Sequence, residues 1–147
     1  MTLDIEKYNL KMKKKILTFS SMSMSNTKWI KLFTQLSNHS TSIKKCLLKG
    51  IYNNTLRDIE IPPIDAFSNV FNSTGIKDVI VGGPCKFKEI EQMIFPKYWY
   101  ISRTMRDQVL EPHKFDQDIT FIKSIIQSIG EFEIEIDEEK LVIYAYR

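Results

Sequence analysis

The side chains best suited to catalysis are few in this sequence and poorly grouped. Glu89 and Glu91 lie two residues apart, so they would share one face of a strand, and Asp65 or Asp78 could join them in the fold. Paired carboxylates can bind a metal ion or share general acid–base work. One hypothesis is therefore a small metal-dependent hydrolase using Asp65, Glu89 and Glu91. Because no base stands at a defined spacing from the pair, a solvated strand face is the simpler interpretation.

The remaining motifs do not predict an enzyme. His39 and His113 have no cysteine or second histidine at the spacing of a zinc site. Gly82-Gly83-Pro84 lacks the further glycines and the Lys-Ser/Thr of a phosphate loop, so it predicts a turn. We therefore expect no catalytic residues, no metal and no cofactor.

The densest group of like charges lies near the end of the chain. Phe132, Ile134 and Ile136 alternate with glutamates, so the glutamates must project from the opposite face of a strand. The acidic residues of this group are Glu131, Glu133, Glu135, Asp137, Glu138 and Glu139. Such a surface could meet a basic protein, such as the phosphate-binding cleft of a nuclease, with electrostatically steered association. Edge protection of the sheet is the alternative.

An aromatic cluster provides candidate anchors for such an interface. Tyr98, Trp99 and Tyr100 are consecutive and have Lys97, Arg103 and Arg106 close by in the sequence. Tyrosine and tryptophan are enriched at protein interfaces. Aromatic residues among basic ones can also stack on the bases of single-stranded nucleic acid, and they often belong simply to the core.

The basic charge is concentrated in the first third of the chain. Residues 1–53 hold ten lysines and two acidic residues, whereas the rest of the chain is net acidic. A nucleic-acid-binding protein is therefore the alternative function, and it predicts affinity that falls steeply with salt. The lysines of this alternative surface are Lys28, Lys31, Lys44, Lys45 and Lys49.

Length and composition indicate one ordinary globular domain. The chain has 147 residues, with 43% hydrophobic and 27% charged residues. No apolar run is long enough to span a membrane, and the short run Ile16–Phe19 does not fit a signal peptide. Cys46 and Cys85 are isolated, which favours buried thiols over a disulfide. We expect a cytoplasmic protein.

Residues 1–25 are predicted to be a flexible or mis-annotated extension. Ile5, Tyr8 and Met12 recur at helical spacing before the polar run 20–25. This apolar face is too small for a membrane-surface helix, so no membrane partner is expected. The folded domain is then 26–147, starting with an amphipathic helix that carries Trp29 and Leu32 on its apolar face.

The last third contains the clearest local signals. Asp116 or Asp118 can cap a helix with isoleucines on one face, and Gly130 is predicted to end it in the left-handed conformation. A β-hairpin follows. For 86–95 helix and strand both fit, with strand favoured, and 103–114 reads as a mobile loop. The fold class is therefore α+β, with helices packed on a mostly antiparallel sheet.

Three groups of residues resemble a known kind of protein. They are Asn26-Thr27-Lys28-Trp29 with Leu32-Phe33, then Gly83-Pro84, Lys88-Glu89-Ile90-Glu91 and Phe95-Pro96, and finally Gly130 with a hairpin ending in Tyr144-Ala145-Tyr146. Over 26–147 the chain resembles a family of small uncharacterised bacterial domains of the immunity-protein type. The resemblance implies a domain of unknown function that neutralises a toxin, and it implies no catalytic residues.

Overall fold

The computed structural model describes residues 2–52, 56–80 and 82–147. The helices are α1 Thr2–Leu17, α2 Asn26–Asn38, α3 Phe67–Val70 and α4 Ile119–Ile129. The strands are β1 Cys46–Gly50, β2 Leu56–Ile59, β3 Gly75–Ile76, β4 Cys85–Lys86, β5 Ile90–Pro96, β6 Tyr98–Met105, β7 Gln108–Asp116, β8 Glu133–Ile136 and β9 Lys140–Tyr144. The protein is an α+β fold, as predicted. For the ambiguous segment, the strand prediction is confirmed from Ile90 onward, after a short 3-10 turn over Phe87–Glu89.

Helix α2 begins and packs as its sequence predicts. The Ser25 side chain accepts a hydrogen bond from the Lys28 amide at 3.1 Å, which satisfies one of the donors left unpaired at a helix start. Trp29 and Phe33 lie on the apolar stripe, and both are almost completely buried. The Phe33 ring stacks on Phe71 with centroids 4.4 Å apart, so α2 packs against the segment between α3 and β3.

Helix α4 begins at the predicted cap but ends differently. Asp118 accepts from the Phe121 amide at 3.0 Å, and Ile122 and Ile126 are fully buried. Gly130 follows the helix with φ 160° and ψ −159°, which is extended backbone. The prediction of a left-handed Gly130 is therefore wrong, and the chain runs directly from the helix toward β8.

The main sheet has five antiparallel strands in the order β2-β1-β5-β9-β8. One face belongs to the core together with α2 and α4. A row across this face runs through Leu48, Met93, Ile143 and Ile134. Because side chains alternate along a strand, the intervening positions form the second face. That face bears two ion pairs, Lys45–Asp58 at 2.7 Å and Lys49–Glu91 at 2.8 Å.

The segment before residue 26 is packed on the rest of the chain, which differs from the flexible extension that the sequence suggests. Met12 is 2% exposed within the hydrophobic core. Backbone amides of Ser20 and Ser21 donate to the Arg147 carbonyl, and Met22 forms a β-bridge with Tyr146. The polar run 20–25 therefore lies beside the residues that follow β9, and backbone hydrogen bonds between the two segments hold it there.

Strands β6 and β7 form a separate two-stranded hairpin, here called the arm. The sequence suggests a mobile loop over 103–114, and this prediction is wrong for most of that range. Arg106 and Asp107 form the turn, with φ values of 50° and 64°. A two-residue hairpin turn of type I′ requires a positive φ at both residues, and its twist matches that of the flanking strands. At about 3.4 Å per residue, the eight residues of β6 extend about 27 Å.

No helix of the described chain has the length and apolarity of a membrane span.

The arm and α1 lie at opposite ends of the main sheet. The arm continues from Pro96, where β5 ends and β9 begins. Helix α1 meets the other end, since Tyr8 contacts Tyr52 just after β1 and Phe19 contacts Tyr146 just after β9. The basic charge of the first residues is therefore separated in space from the acidic turn between β8 and β9.

Candidate functional site

The arm presents apolar side chains on both of its faces. Cross-strand pairs place Trp99 beside Phe115 and Ile101 beside His113 on one face, with Met105 near the tip. The other face carries Tyr98 and Tyr100, with Val109 near the tip. Ile101 and Tyr100 are exposed by 50% and 59%. An isolated two-stranded hairpin is marginally stable in water, so a partner that covers these side chains would stabilise the arm.

The base of the arm is held by one buried glutamine. Gln117 is 6% exposed, and its amide oxygen accepts from the Lys44 and Lys45 amides at 2.9 and 3.1 Å. Its amide nitrogen donates to the carbonyls of Lys45 and Pro96 at 2.9 and 2.7 Å. A glutamine amide has two donors and two main acceptor positions. All are used here, so the side chain joins the residues just before β1, the end of β5 and the end of the arm.

The acidic turn lies beside the base of the arm. The Lys97 amide donates to the Glu139 carbonyl at 2.7 Å, which connects the start of the arm to the β8–β9 turn. Asp137 shapes this turn by accepting from the Glu139 and Lys140 amides. These backbone hydrogen bonds hold the pKa of the Asp137 carboxyl below its ordinary value. The carboxylate therefore stays ionised, while Glu138 and Glu139 are exposed.

The glutamates farther along β8 already have a partner within the chain. Arg147 forms ion pairs with Glu133 and Glu135, and its guanidinium lies over the Tyr144 ring. The Tyr144 hydroxyl also donates to Glu135 at 3.0 Å. The repulsion expected between these two carboxylates is thus relieved by a residue of the same chain, and they contribute less negative potential than the sequence suggests.

The fold brings together only part of the predicted site. Tyr98 and Tyr100 share the arm face opposite Trp99, and the turn acids lie beside their base. Trp99 is half-buried with the Lys45 ammonium 5.7 Å from its ring centre, so it packs toward the sheet. Glu131 lies in a separate groove with Lys28 and Lys123. We call Tyr98, Tyr100, Ile101, Asp137, Glu138 and Glu139 the arm surface.

The lysines of the nucleic-acid alternative do not form one surface. Lys45 and Lys49 form ion pairs on the sheet face that faces away from α2. Lys28 lies on α2, where it donates to the Ser23 carbonyl at 3.1 Å and covers the Phe132 ring. A nucleic-acid backbone needs unpaired cations along a continuous path, so this geometry favours the alternative less than the sequence does.

The carboxylates of the hydrolase hypothesis have separate partners. Glu91 pairs with Lys49, whereas Glu89 accepts from the Tyr8 hydroxyl. In the ranges that the structure describes, no group of three or more His, Cys, Asp or Glu residues could hold a metal ion. Glu89 and Glu91 therefore do not act as a pair.

A small pocket that the sequence did not indicate surrounds Glu89. Its volume is about 250 Å³, and Tyr8, Tyr52, Arg57 and Cys85 line it. Burial raises the pKa of Glu89, and burial together with the Glu89 charge raises the pKa of Tyr8 to about 12. Burial also raises the pKa of the Cys85 thiol to about 11, so this cysteine is not a thiolate at neutral pH. Only contacts between distant segments create this environment.

The raised pKa of Glu89 predicts a pH-dependent stability. The folded chain keeps the proton of Glu89 to a higher pH than the unfolded chain, whose ordinary value is 4.5. Stability should therefore fall as pH rises from 4.5 through the folded pKa. We expect Glu89→Gln to be more stable than the wild type at pH 7, with a gap that widens between these two pKa values. Urea unfolding at several pH values measures this.

Glu91→Gln is the matched control for this measurement. It removes the Lys49 ion pair and should lower stability or leave it unchanged at neutral pH. Parallel pH profiles for the wild type and Glu89→Gln would show that Glu89 is not destabilised by burial.

Comparisons with protein-family models, with curated proteins and with solved structures find no match to this chain. The resemblance to immunity-type domains therefore stays a prediction.

Proposed function

We propose that this protein is a non-enzymatic binding module that docks on a basic protein through the arm surface. In the form that the sequence resemblance suggests, it is a cytoplasmic bacterial immunity protein and its partner is a toxin. The observation that carries the proposal is the arm itself, a hairpin with exposed aromatic and aliphatic side chains whose base adjoins a turn of exposed carboxylates.

The partner is expected to be concave. Tyr100 is exposed on one face of the arm, and Ile101 on the other. A partner lying flat on one face would leave the other apolar face in water, whereas a cleft covers both. Standard interfaces bury about 800 Å² on each partner, and a narrow two-stranded hairpin approaches that area only when both faces are covered.

The charges at the base indicate the character of the cleft rim. Asp137, Glu138 and Glu139 would meet the rim when the arm is inserted. Opposite charges at that position steer the encounter and raise the association rate at low salt. A basic cleft with apolar walls, such as the substrate cleft of a nuclease, fits both the arm and the turn.

The test begins with capture from the native host at low salt, followed by mass spectrometry and affinity measurement with the purified partner. We expect one basic protein in equal amount. Tyr100→Ala should weaken its binding at least tenfold, since exposed aromatic anchors dominate interface energies. Glu138→Lys with Glu139→Lys should mainly lower the association rate and its dependence on salt.

Tyr52→Ala is the matched control, because Tyr52 is a 40% exposed tyrosine at the opposite end of the sheet. It should bind the partner as the wild type does. Recovery of nucleic acid alone, or equal affinity of the wild type and Tyr100→Ala for the captured protein, would contradict the proposal.

A further inference from the structure

Helix α1 has an exposed apolar stripe that differs from the face it packs on the domain. Met12 points into the core at 2% exposure, and Ile16 is half-buried against it. Leu10 and Leu17 are exposed by 54% and 82%. They are seven residues apart, which is close to two helical turns, so they lie on one line roughly opposite Met12.

Lysines flank this stripe on both sides. At about 100° per residue, Lys7 and Lys14 lie about 60° to one side of the leucines, and Lys13 lies about 50° to the other. All three are exposed, and within the described ranges no ion pair involves them. Glu6 is also exposed and lies about 30° from the leucines, on the Lys13 side. The outer face of α1 is therefore an aliphatic line with three lysines and one glutamate around it, and its net charge is positive.

We propose that the outer face of α1 binds an anionic lipid surface, with the helix lying in the plane of the membrane. Leu10 and Leu17 would enter the boundary between headgroups and acyl chains, and the flanking ammonium groups would remain at the level of the lipid phosphates. Each lysine near such a surface strengthens binding by about fivefold. With only two leucines inserted, binding depends on the anionic lipid.

The exposed leucines favour lipid over nucleic acid. Phosphate groups of DNA or RNA would attract the same lysines, but aliphatic side chains gain nothing from contact with a sugar–phosphate backbone. The sequence predicts no membrane partner because the stripe Ile5, Tyr8 and Met12 is too small for a membrane-surface helix. The stripe of Leu10 and Leu17 is no larger, so the flanking lysines supply most of the attraction to the lipid. In the folded chain Met12 is used for packing, and a different stripe faces outward.

The position of α1 gives the interaction a defined orientation. Because α1 and the arm lie at opposite ends of the sheet, a membrane-bound molecule would hold the arm surface away from the lipid. Lipid binding is thus independent of the proposed protein partner, and either could fail without the other.

Co-sedimentation with vesicles tests the proposal on the full chain. We expect binding to phosphatidylcholine vesicles that contain about 30% phosphatidylserine, and no binding to pure phosphatidylcholine. The double variant Leu10→Ala/Leu17→Ala should bind at least about tenfold more weakly. Lys13→Gln and Lys14→Gln should each weaken binding by about fivefold.

Three controls separate the possible outcomes. Leu56→Ala and Lys44→Gln change exposed residues elsewhere and should bind vesicles as the wild type does, as should the arm variant Tyr100→Ala. Thermal unfolding checks that each variant is folded. Unchanged binding of the double leucine variant, equal binding to neutral vesicles, or retention on duplex DNA without vesicle binding would each overturn the proposal.

Discussion

Replacing Gln117 by leucine is expected to lower the free energy of unfolding by about 3 to 5 kcal/mol, although the substitution keeps a similar volume. The change removes hydrogen bonds to two backbone amides and two carbonyls in an environment where the side chain is 6% exposed. Each buried backbone group left without a partner costs about 1 to 3 kcal/mol, partly offset where water enters. Chemical denaturation of the purified protein measures the loss.

Two further variants locate the cause of this loss. Gln117→Glu keeps the acceptors but removes both donors and adds a charge, so it should also destabilise the protein. Gln127→Leu changes an exposed glutamine on α4 and should shift stability by less than about 0.5 kcal/mol. If Gln117→Leu were as stable as Gln127→Leu, the four hydrogen bonds of the Gln117 side chain, here called the Gln117 clamp, would contribute nothing to folding.

Met12→Ala is expected to destabilise the protein by about 3 kcal/mol, within the range seen when a buried methionine is truncated. The reason is that α1 is part of the folded unit, since Met12 lies in the core at 2% exposure. A loosely attached extension would tolerate this substitution without effect. Denaturant unfolding followed by tryptophan fluorescence is suitable, because Trp29 lies in the same core cluster.

Leu10→Ala is the control on the same helix. Leu10 is 54% exposed, and alanine has the highest helix propensity, so stability should change by less than about 0.5 kcal/mol. Equal effects of Met12→Ala and Leu10→Ala would show that α1 does not pack through Met12. Leu10→Ala is one half of the double variant in the lipid experiment, where a normal stability makes a loss of vesicle binding interpretable.

The acidic residues show how far a local pattern predicts a binding surface. Alternation correctly indicated that Glu133 and Glu135 point away from the core face of β8. It could not indicate that Arg147 forms ion pairs with both, because that pairing follows from β9 returning antiparallel to β8 and bringing Arg147 alongside. The surface available to a partner is thereby shifted from the middle of β8 to the β8–β9 turn and the neighbouring arm.

The two amphipathic helices and the C-terminal hairpin follow from local patterns in the sequence. A capping residue, a period of 3.6 or 2, and a turn lie within a few residues of one another, so they constrain the backbone without help from the rest of the chain. The fold class followed from the same elements. The isolation of Cys46 and Cys85 in the sequence predicted buried thiols, and both are buried and free in the folded chain.

The hairpin arm and the packing of α1 depend on contacts between segments that are distant in the sequence, so no local pattern predicts them. The segment 103–114 has a weak periodicity, and it becomes a hairpin arm because strand pairing and the Gln117 clamp, which reaches residues more than 70 positions away, hold its base. Helix α1 has two apolar stripes, one through Met12 that packs on the domain and one through Leu10 and Leu17 that stays exposed. Both consist of apolar residues at helical spacing, so the sequence does not distinguish them. Contact with the end of the sheet selects between them, since burial of one face is a property of the whole fold.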